Sequence, residues 1–454
     1  MASTATERFA SAYSKLTISD IPTELKRDLA QLALDYFGVA IAGSRTGSGK
    51  IVAQYARDVG GRADARLIGG GAKVPTPAAA FANAIASHSI ELDDVDSLAY
   101  FHFSPPVYSA ALAVADRIGA SGEEFMVAVA AGCDALARLS NALNPSHRNR
   151  GYHTTASCGV FGAAVAAARL LRLSEAQFTS ALGLAGSQAS GLMEMYGPSM
   201  QKRFNPGPAA RNGVVAAELA AMGFTGAATI LDGERGFCRA FSDDFNEEEL
   251  LGGLGSQFPV HIEFKAHSCA RPIHTAIDCA LNVRDAIGGG LGDIVSIRMR
   301  RHPDWAQYHL NKAPQTYHEA QVSLPFSVAI ALKDGVNLPP QYSNGRLGNP
   351  ELLRLAGLVE VDVDASLPRG ISCTIEVGMA DGRKLESQVD YPRGSSGNPV
   401  DYAGTEKKVR MLVGDGFSSS RIDALVAHCR SIESLPSVSV LLDQAVGEDK
   451  GGRG

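Results

Sequence analysis

The sequence has no excess of positive charge, no C-x-x-C pair, no long apolar run and no internal repeat, and each absence closes off a class of function. With 42 Lys+Arg against 48 Asp+Glu the formal net charge is −6, and no RRM, zinc-finger or basic-helix pattern is present, so nucleic acid is not an expected partner. The seven cysteines, at 133, 158, 238, 269, 279, 373 and 429, are odd in number and dispersed. They read as reduced, buried thiols in a cytoplasm, not as a disulfide framework. The opening MASTATERFASAYSKL lacks a basic start followed by an apolar region, and no segment reaches ~18 uninterrupted apolar residues. A cytoplasmic location with no membrane partner is the expectation. What the chain has in plenty is small residues: 48 glycines, with alanine-dense stretches such as GVFGAAVAAARLLRL. Small residues let helices approach closely, so tightly packed interior helices are predicted.

Periodicity divides the chain. Asp20 reads as an N-cap followed by Pro22, and Leu25, Leu29, Leu32 and Tyr36 recur at helical spacing as far as Gly43. Further helices are predicted over 76–96, 106–118, 121–141, 155–172, 174–186, 207–222 and 270–286. Near Gly288 the texture changes. IVSIRMR and VEVDVD alternate as half-buried strands do, and ISCTIEVGMADGRKLESQVDY reads as a β-hairpin turning at Asp381-Gly382. A helix carrying Phe326 to Leu332 lies between the strands. PRGSSGNP is a linker by composition, and the pattern then becomes helical again. The expected fold is mainly α: an all-α domain over 1–262, a smaller α+β lid over 263–396, C-terminal helices over 397–446 that rejoin the helical domain, and a disordered tail over 447–454.

Several stretches carry chemistry. GSRTGSGK invites a phosphate-loop reading, but the position five before Gly49 is Ser44, Lys50 is followed by Ile51, and a helix precedes it where a strand is needed. A flexible loop is expected instead. IELDDVDSLAYFHFS puts four acids into six positions ahead of His102. If the helix continues to 96, Glu91 shares a face with His88 and Val95, and the acids diverge too widely to hold a divalent metal. One or two acids facing a pocket and a solvated helix end are the competing readings, with Asp96 expected in solvent. His153 stands just ahead of a Ser/Thr-rich helix start, where the charged imidazolium is disfavoured. Lys202 and Arg203, then Lys265, His267, Arg271 and His274, surround two further helix starts, and cations beside helix N-termini suit a carboxylate ligand.

Taken in order, ELDD…H, GYHTTASCGVFGAA, GLAGSQASGLME, KRFNPGPAARNG, ILDGERGF and K-x-x-x-C-x-R-x-x-H resemble the MmgE/PrpD family, which includes 2-methylcitrate dehydratase, cis-aconitate decarboxylase and iminodisuccinate epimerase. The similarity runs from about residue 8 to 446. It implies a large helical domain, an α+β lid, a cleft between them, a homodimer, and neither metal nor organic cofactor. It also implies catalytic roles for Glu91, His102, His153, Lys202 and Lys265, with Asp94, Ser104, Arg271, Asn205 and His274 binding substrate. The chain departs from the family at Phe103, at Val95 in place of threonine, at Asn205 in place of histidine, at Phe326 in place of tyrosine, and at Ala270 where decarboxylases carry histidine.

The family's common problem is charge developing on carbon beside a carboxylate, which needs cations on the oxygens and a positioned acid or base. Lys202, Lys265 and Arg271 suit the first task; His102 and His153 suit the second, and Glu91 could orient a histidine or take a proton. A lyase dehydrating or decarboxylating a small di- or tricarboxylic acid is the expectation. An epimerase and a catalytically lapsed metabolite binder remain as alternatives. Because the replacements exchange polar atoms for apolar ones, a substrate less oxygenated than citrate is expected.

Overall fold

Helices in this protein begin where the chain supplies its own caps. In the computed structural model, which describes residues 3–288 and 290–447, Thr4, Ser121 and Ser174 each accept the backbone N–H three residues on, while Glu7, Glu124 and Gln177 reach back to the cap. These reciprocal caps satisfy N–H groups that a first helical turn leaves orphaned. The central layer is Thr23–Ser44, Thr76–His88, Ser104–Ile118, Gly122–Leu143, Gly159–Leu170 and Pro206–Ala221. Gly122–Leu143 is long and apolar enough to cross a membrane, but here it is a buried core helix.

The small residues do what their abundance predicts. A Cβ added to Gly132 would meet the Gly162 carbonyl oxygen at 2.7 Å, and one added to Gly162 would meet that of Gly132 at 2.7 Å. The two helices therefore touch backbone to backbone, which only glycine at both positions permits.

One apolar core takes in residues from Ala5 to Phe264 together with Val409 to Ala445 of the C-terminal helices; a second, from Cys269 to Met379, belongs to an α+β unit. A small hairpin, β1 (Ala65–Arg66) with β2 (Lys73–Val74), decorates the helical part. The α+β unit holds a four-stranded sheet ordered β4-β3-β5-β6, made of β3 (Ile294–Arg301), β4 (Val359–Val363), β5 (Cys373–Met379) and β6 (Lys384–Val389). β4 runs parallel to β3, and β5 and β6 form the expected antiparallel hairpin. Helices His274–Ile287 and Leu324–Asp334 contribute Ile277, Ala280, Val328 and Leu332 to the same core.

Four local expectations fail. Asp20 does not cap the second helix; its carboxylate closes a short turn on Thr17, and the helix starts at Thr23. GSRTGSGK is not a flexible loop, because Thr46 accepts from the Gly49 N–H and caps a helix over Gly47–Asp58. The helix expected over 76–96 stops at His88. Asp96 is buried, not solvated: its Oδ1 accepts from the N–H groups of Leu98 and Ala99 at 2.7 and 3.0 Å, and burial pushes its pKa up to about 6. Of the expected tail, residues 448–454 lie outside the described residues.

Gly132→Val should lower stability by about 3 kcal/mol, the upper end of ordinary overpacking, because its neighbours are backbone atoms that cannot rotate away. Urea unfolding monitored by circular dichroism reads this directly. An unchanged midpoint would mean that the two helices are free to separate.

Candidate active site

Between His88 and Ser104 the chain has no regular structure, so its backbone groups must find partners elsewhere. They find side chains. The Ile90 carbonyl accepts from Ser268 Oγ at 2.5 Å and Gln321 Nε2 at 2.9 Å, that of Glu91 from Lys265 Nζ at 3.4 Å, and that of Leu92 from Lys408 Nζ at 2.6 Å. The Asp94 carbonyl accepts from His102 Nδ1 at 2.5 Å, and Val95 exchanges two backbone bonds with Glu263. This segment forms one wall of a cavity of about 50 Å³ lined by residues that include Glu91, Val95, His102, Arg148, His153, Lys202, Lys265, Ala270 and Arg271.

Glu91 is fully buried, with its backbone in the left-handed region at φ 53°. Its carboxylate meets Lys202 Nζ in a short contact, Arg203 Nη1 at 2.6 Å and Lys265 Nζ at 3.6 Å. Burial alone would push this carboxyl up. Lys202, Arg203 and Lys265 outweigh it and hold the pKa well below the usual carboxylate range, so Glu91 is an anion that orders cations. Lys202 moves the other way. Burial, helped by Lys265 and Arg203, brings its ammonium down to about 8 although Glu91 opposes the shift. Of the four left-handed non-glycine residues among those described, Glu91, Tyr100 and His309 line this cavity and only Arg172 does not. Strain of this kind gathers at functional sites.

Behind the wall, Asp93 Oδ2 accepts from His88 Nδ1 at 2.8 Å and lies 3.0 Å from His102 Nδ1. Burial works against ionising Asp93, but His88, His102 and Lys265 prevail and hold its carboxyl well below the usual range. Because His102 Nδ1 faces two acceptors, Asp93 Oδ2 and the Asp94 carbonyl, it carries a proton, and in the neutral ring the lone pair lies on Nε2. His153 has the opposite arrangement. The Asn205 amide nitrogen faces His153 Nδ1 at 3.1 Å, Met195 Sδ at 3.0 Å and the Leu192 carbonyl at 3.5 Å. The amide nitrogen has only hydrogens to offer, its two N–H groups serving His153 Nδ1 and Met195 Sδ at the shorter distances, so His153 Nδ1 holds the lone pair and Nε2 the proton. Burial, then His88 and Lys202, depress the His153 pKa well below its ordinary value, which keeps the ring neutral.

The donor atoms of His88, Asp93 and His102 also lie within 4.8 Å of one another. The expected divergence of acids along a helix therefore does not apply, since the helix has ended. Both imidazole nitrogens nevertheless sit at hydrogen-bond distance from one oxygen, and an ion needing ~2.0–2.2 Å to each donor would have to break both bonds. The arrangement is a hydrogen-bonded chain.

Of the ten residues singled out from sequence, Glu91, His102, His153, Lys202, Lys265 and Arg271 line the cavity, and four stand outside its lining. Asp94 accepts from the N–H groups of Phe103 and Ser104 and from Ser104 Oγ, so this pair fixes the start of the Ser104–Ile118 helix. Asn205 backs His153, and His274 accepts at Nδ1 from Arg271 Nη1 at 3.3 Å. Arg271 itself is bound twice to Glu263 Oε2, at 2.6 and 3.1 Å. Arg148 forms no ion pair among the described residues and lies 5.1 Å from the centre of the Tyr100 ring, itself 5.8 Å from Trp305. Tyr100, Arg148 and Trp305 also border an outer vestibule of about 730 Å³. Sequence reasoning passed over Arg148, Trp305 and Asp93. The cationic run HRNRGYH ahead of His153 and the single tryptophan of the chain were the available signals.

Residues 7–250 match the MmgE/PrpD N-terminal domain and residues 267–431 the MmgE/PrpD C-terminal domain. Cis-aconitate decarboxylase of Aspergillus terreus is 26% identical over 461 residues, covering 95% of this chain and 93% of that protein. The protein of the same name from Homo sapiens is 26% identical over 459 residues, covering 96% and 93%, and that from Mus musculus 26% over 468 residues, covering 97% and 93%.

Two outcomes follow from this geometry. Below pH 8 Lys202 is an ammonium and above it a neutral amine, so kcat/KM for an anionic substrate should fall along a basic limb near pH 8, and Lys202→Gln should abolish that limb. A limb that survives in Lys202→Gln belongs to another group. Asn205→Asp should pull the His153 proton to Nδ1 and raise its pKa, seen as a downfield-shifted ring proton by NMR, with kcat lowered about 10²-fold or more. An unmoved ring signal would remove Asn205 from control of the tautomer.

Proposed function

Because the chain belongs to the MmgE/PrpD family, we propose that it is a cofactor-independent lyase that eliminates water from a small hydroxylated di- or tricarboxylic acid. The observation that carries this reading is the pair of imidazoles with opposite protonation on one cationic cavity: His102 with an open Nε2 lone pair, His153 with an Nε2 proton. Dehydration needs a base for the carbon acid, a hydrogen bond to hold the departing hydroxyl and an acid to protonate it; His102 supplies the first, His153 the second and the neighbouring Lys202 ammonium the third.

In this mechanism His102 Nε2 takes the proton next to a substrate carboxylate. Asp93 then faces the imidazolium that forms, and Lys265 meets the enolate oxygen as charge develops there. The enolate collapses by expelling the hydroxyl group, which His153 Nε2–H holds and the Lys202 ammonium protonates to water. Lys202 suits that step because a pKa of about 8 lets it give up its proton near neutrality. Glu91 keeps Lys202, Arg203 and Lys265 in place. A second substrate carboxylate docks on Arg148, since Arg271 is already neutralised by Glu263. Val95 and Ala270 remove two polar contacts from the cavity lining, which favours a hydroxy-dicarboxylate over citrate. The cavity of about 50 Å³ holds little more than water, so entry from the vestibule requires Tyr100 and Trp305 to part.

The second reading is decarboxylation of an unsaturated tricarboxylate. The relatives named above favour it, and Ala270, standing where decarboxylases carry histidine, speaks against it.

Proton NMR in D₂O with citrate, 2-methylcitrate, malate, cis-aconitate and iminodisuccinate separates these. Alkene signals from a hydroxy acid are expected, lost by about 10²–10⁴-fold in His102→Ala and in His153→Ala. Consumption of cis-aconitate with loss of CO₂ would replace the first reading with the second. Deuterium exchange without net conversion would make the protein an epimerase, and silence across the panel would leave neither lyase reading standing.

A further inference from the structure

A second cavity, of about 240 Å³, lies behind the catalytic wall on the seam between the two hydrophobic cores. Its walls come from the crossing segment at 264–267, the turn at 335–338 after helix Leu324–Asp334, Arg393, and the first C-terminal helix, Tyr402–Val413. Phe264, Leu281, Val336, Leu338, Val400 and Met411 give it an apolar interior. Four cations, Lys265, Arg393, Lys407 and Lys408, border it, and no aspartate or glutamate does.

The four cations are not equivalent. Lys265 and Lys408 are buried and answered from behind, Lys265 by Glu91 and Lys408 by Asp35 at 2.6 Å. Arg393 and Lys407 are exposed, and among the described residues neither side chain has a carboxylate partner. The cavity thus pairs an apolar interior with two uncommitted cations at its mouth. Such a site recognises a molecule with one anionic end and an apolar body. Its size falls below the ~300–1,000 Å³ of sites for larger ligands, which excludes a nucleotide and suits a short chain.

From this we infer that the seam cavity is a binding site for a short-chain aliphatic monocarboxylate, whose carboxylate rests on Arg393 and Lys407 and whose chain fills the interior. The site is separate from the catalytic cavity but shares Lys265 with it. It is also bordered by Lys408, whose Nζ holds the Leu92 carbonyl. A ligand there contacts the helical core through Phe264 and the C-terminal helix through Met411, and the α+β unit through Leu281 and Val336. Its occupancy therefore braces the seam and the acidic segment behind it.

The test uses the full-length protein and hexanoate, and its readout does not depend on turnover, so it stands or falls apart from the lyase reading. Isothermal titration should show one site, and hexanoate should raise the thermal midpoint. Met411 is 50% exposed, so Met411→Trp can fill the cavity without disturbing the fold, and it should abolish the binding. The double variant Arg393→Glu/Lys407→Glu should weaken it at least about tenfold by setting like charges together. Arg148→Gln, which alters the catalytic cavity and its vestibule but not the seam cavity, should bind hexanoate as the parent does. Absence of binding to the parent protein would overturn the proposal. So would equal affinity in Met411→Trp or in the double charge variant, or loss of binding in Arg148→Gln.

Discussion

The buried carboxylate of Glu91 is the point at which the two parts of the molecule are tied together. Lys202 and Arg203 reach it from the short helix Gln201–Phe204 just before the Pro206–Ala221 helix, and Lys265 from the segment that crosses into the α+β unit. Arg203 also donates to Gln321 Oε1 at 2.7 Å, and the Gln321 amide donates to the Ile90 carbonyl at 2.9 Å. The circuit Glu91–Arg203–Gln321–Ile90 closes across the domain seam. An unpaired carboxylate at this depth would be untenable, whereas one met by three cations is held as an anion. The left-handed backbone at Glu91, of order 1–3 kcal/mol in strain, persists because the surrounding bonds over-determine it.

The same circuit prepares the site for an anion. Three cations share one carboxylate, so the cavity carries surplus positive charge before any ligand arrives, and the cost of gathering that charge is met during folding. Charge that develops on a bound acid then meets donors that need not reorganise. The imidazoles are set by a second layer of polar groups. Asp93 and the Asp94 carbonyl fix the tautomer of His102, and Asn205 fixes that of His153. Two rings of one chemical type thus become complementary through groups that stand behind them.

Much of this was legible from sequence because the signals were local. Helical periodicity and the Asp381-Gly382 hairpin reappear, and His153, Lys202 and Lys265 do line one cavity; the strand alternation reappears only in part, since a register shift at Ile294/Ser296 leaves Val295 exposed and Val363 at the end of β4 is exposed as well. The failures have a common physical origin. The helix from Thr76 stops at His88 without a glycine or proline, and the apolar spacing that continues to Val95 disguises the stop. Glu91 then turns in the left-handed region without being glycine. What ends the helix is a set of partners from far along the chain, among them Ser268, Gln321 and Lys408. No window of sequence contains them. Asp96 was misread for the related reason that its partners, the Leu98 and Ala99 amides, exist only once the loop has folded.

Four of the five departures from the family pattern read from the sequence, at Val95, Asn205, Ala270 and Phe326, do not act at one place. Phe326 is fully buried in the core of the α+β unit and is absent from the cavity lining, so the hydroxyl missing there is not missing from the cavity wall. Asn205 stands behind His153, where it still supplies a polar contact and sets which nitrogen carries the proton. Only Val95 and Ala270 face the cavity, and both exchange a polar group for an apolar one at the wall nearest Arg271. That arginine is taken up by Glu263, while Arg148 at the vestibule is not paired. Positive charge available to a ligand is therefore concentrated at Lys202 and Lys265, which share Glu91, and at Arg148, which also borders the vestibule. On the lyase reading proposed above, that distribution of charge suits a substrate with a carboxylate at each end.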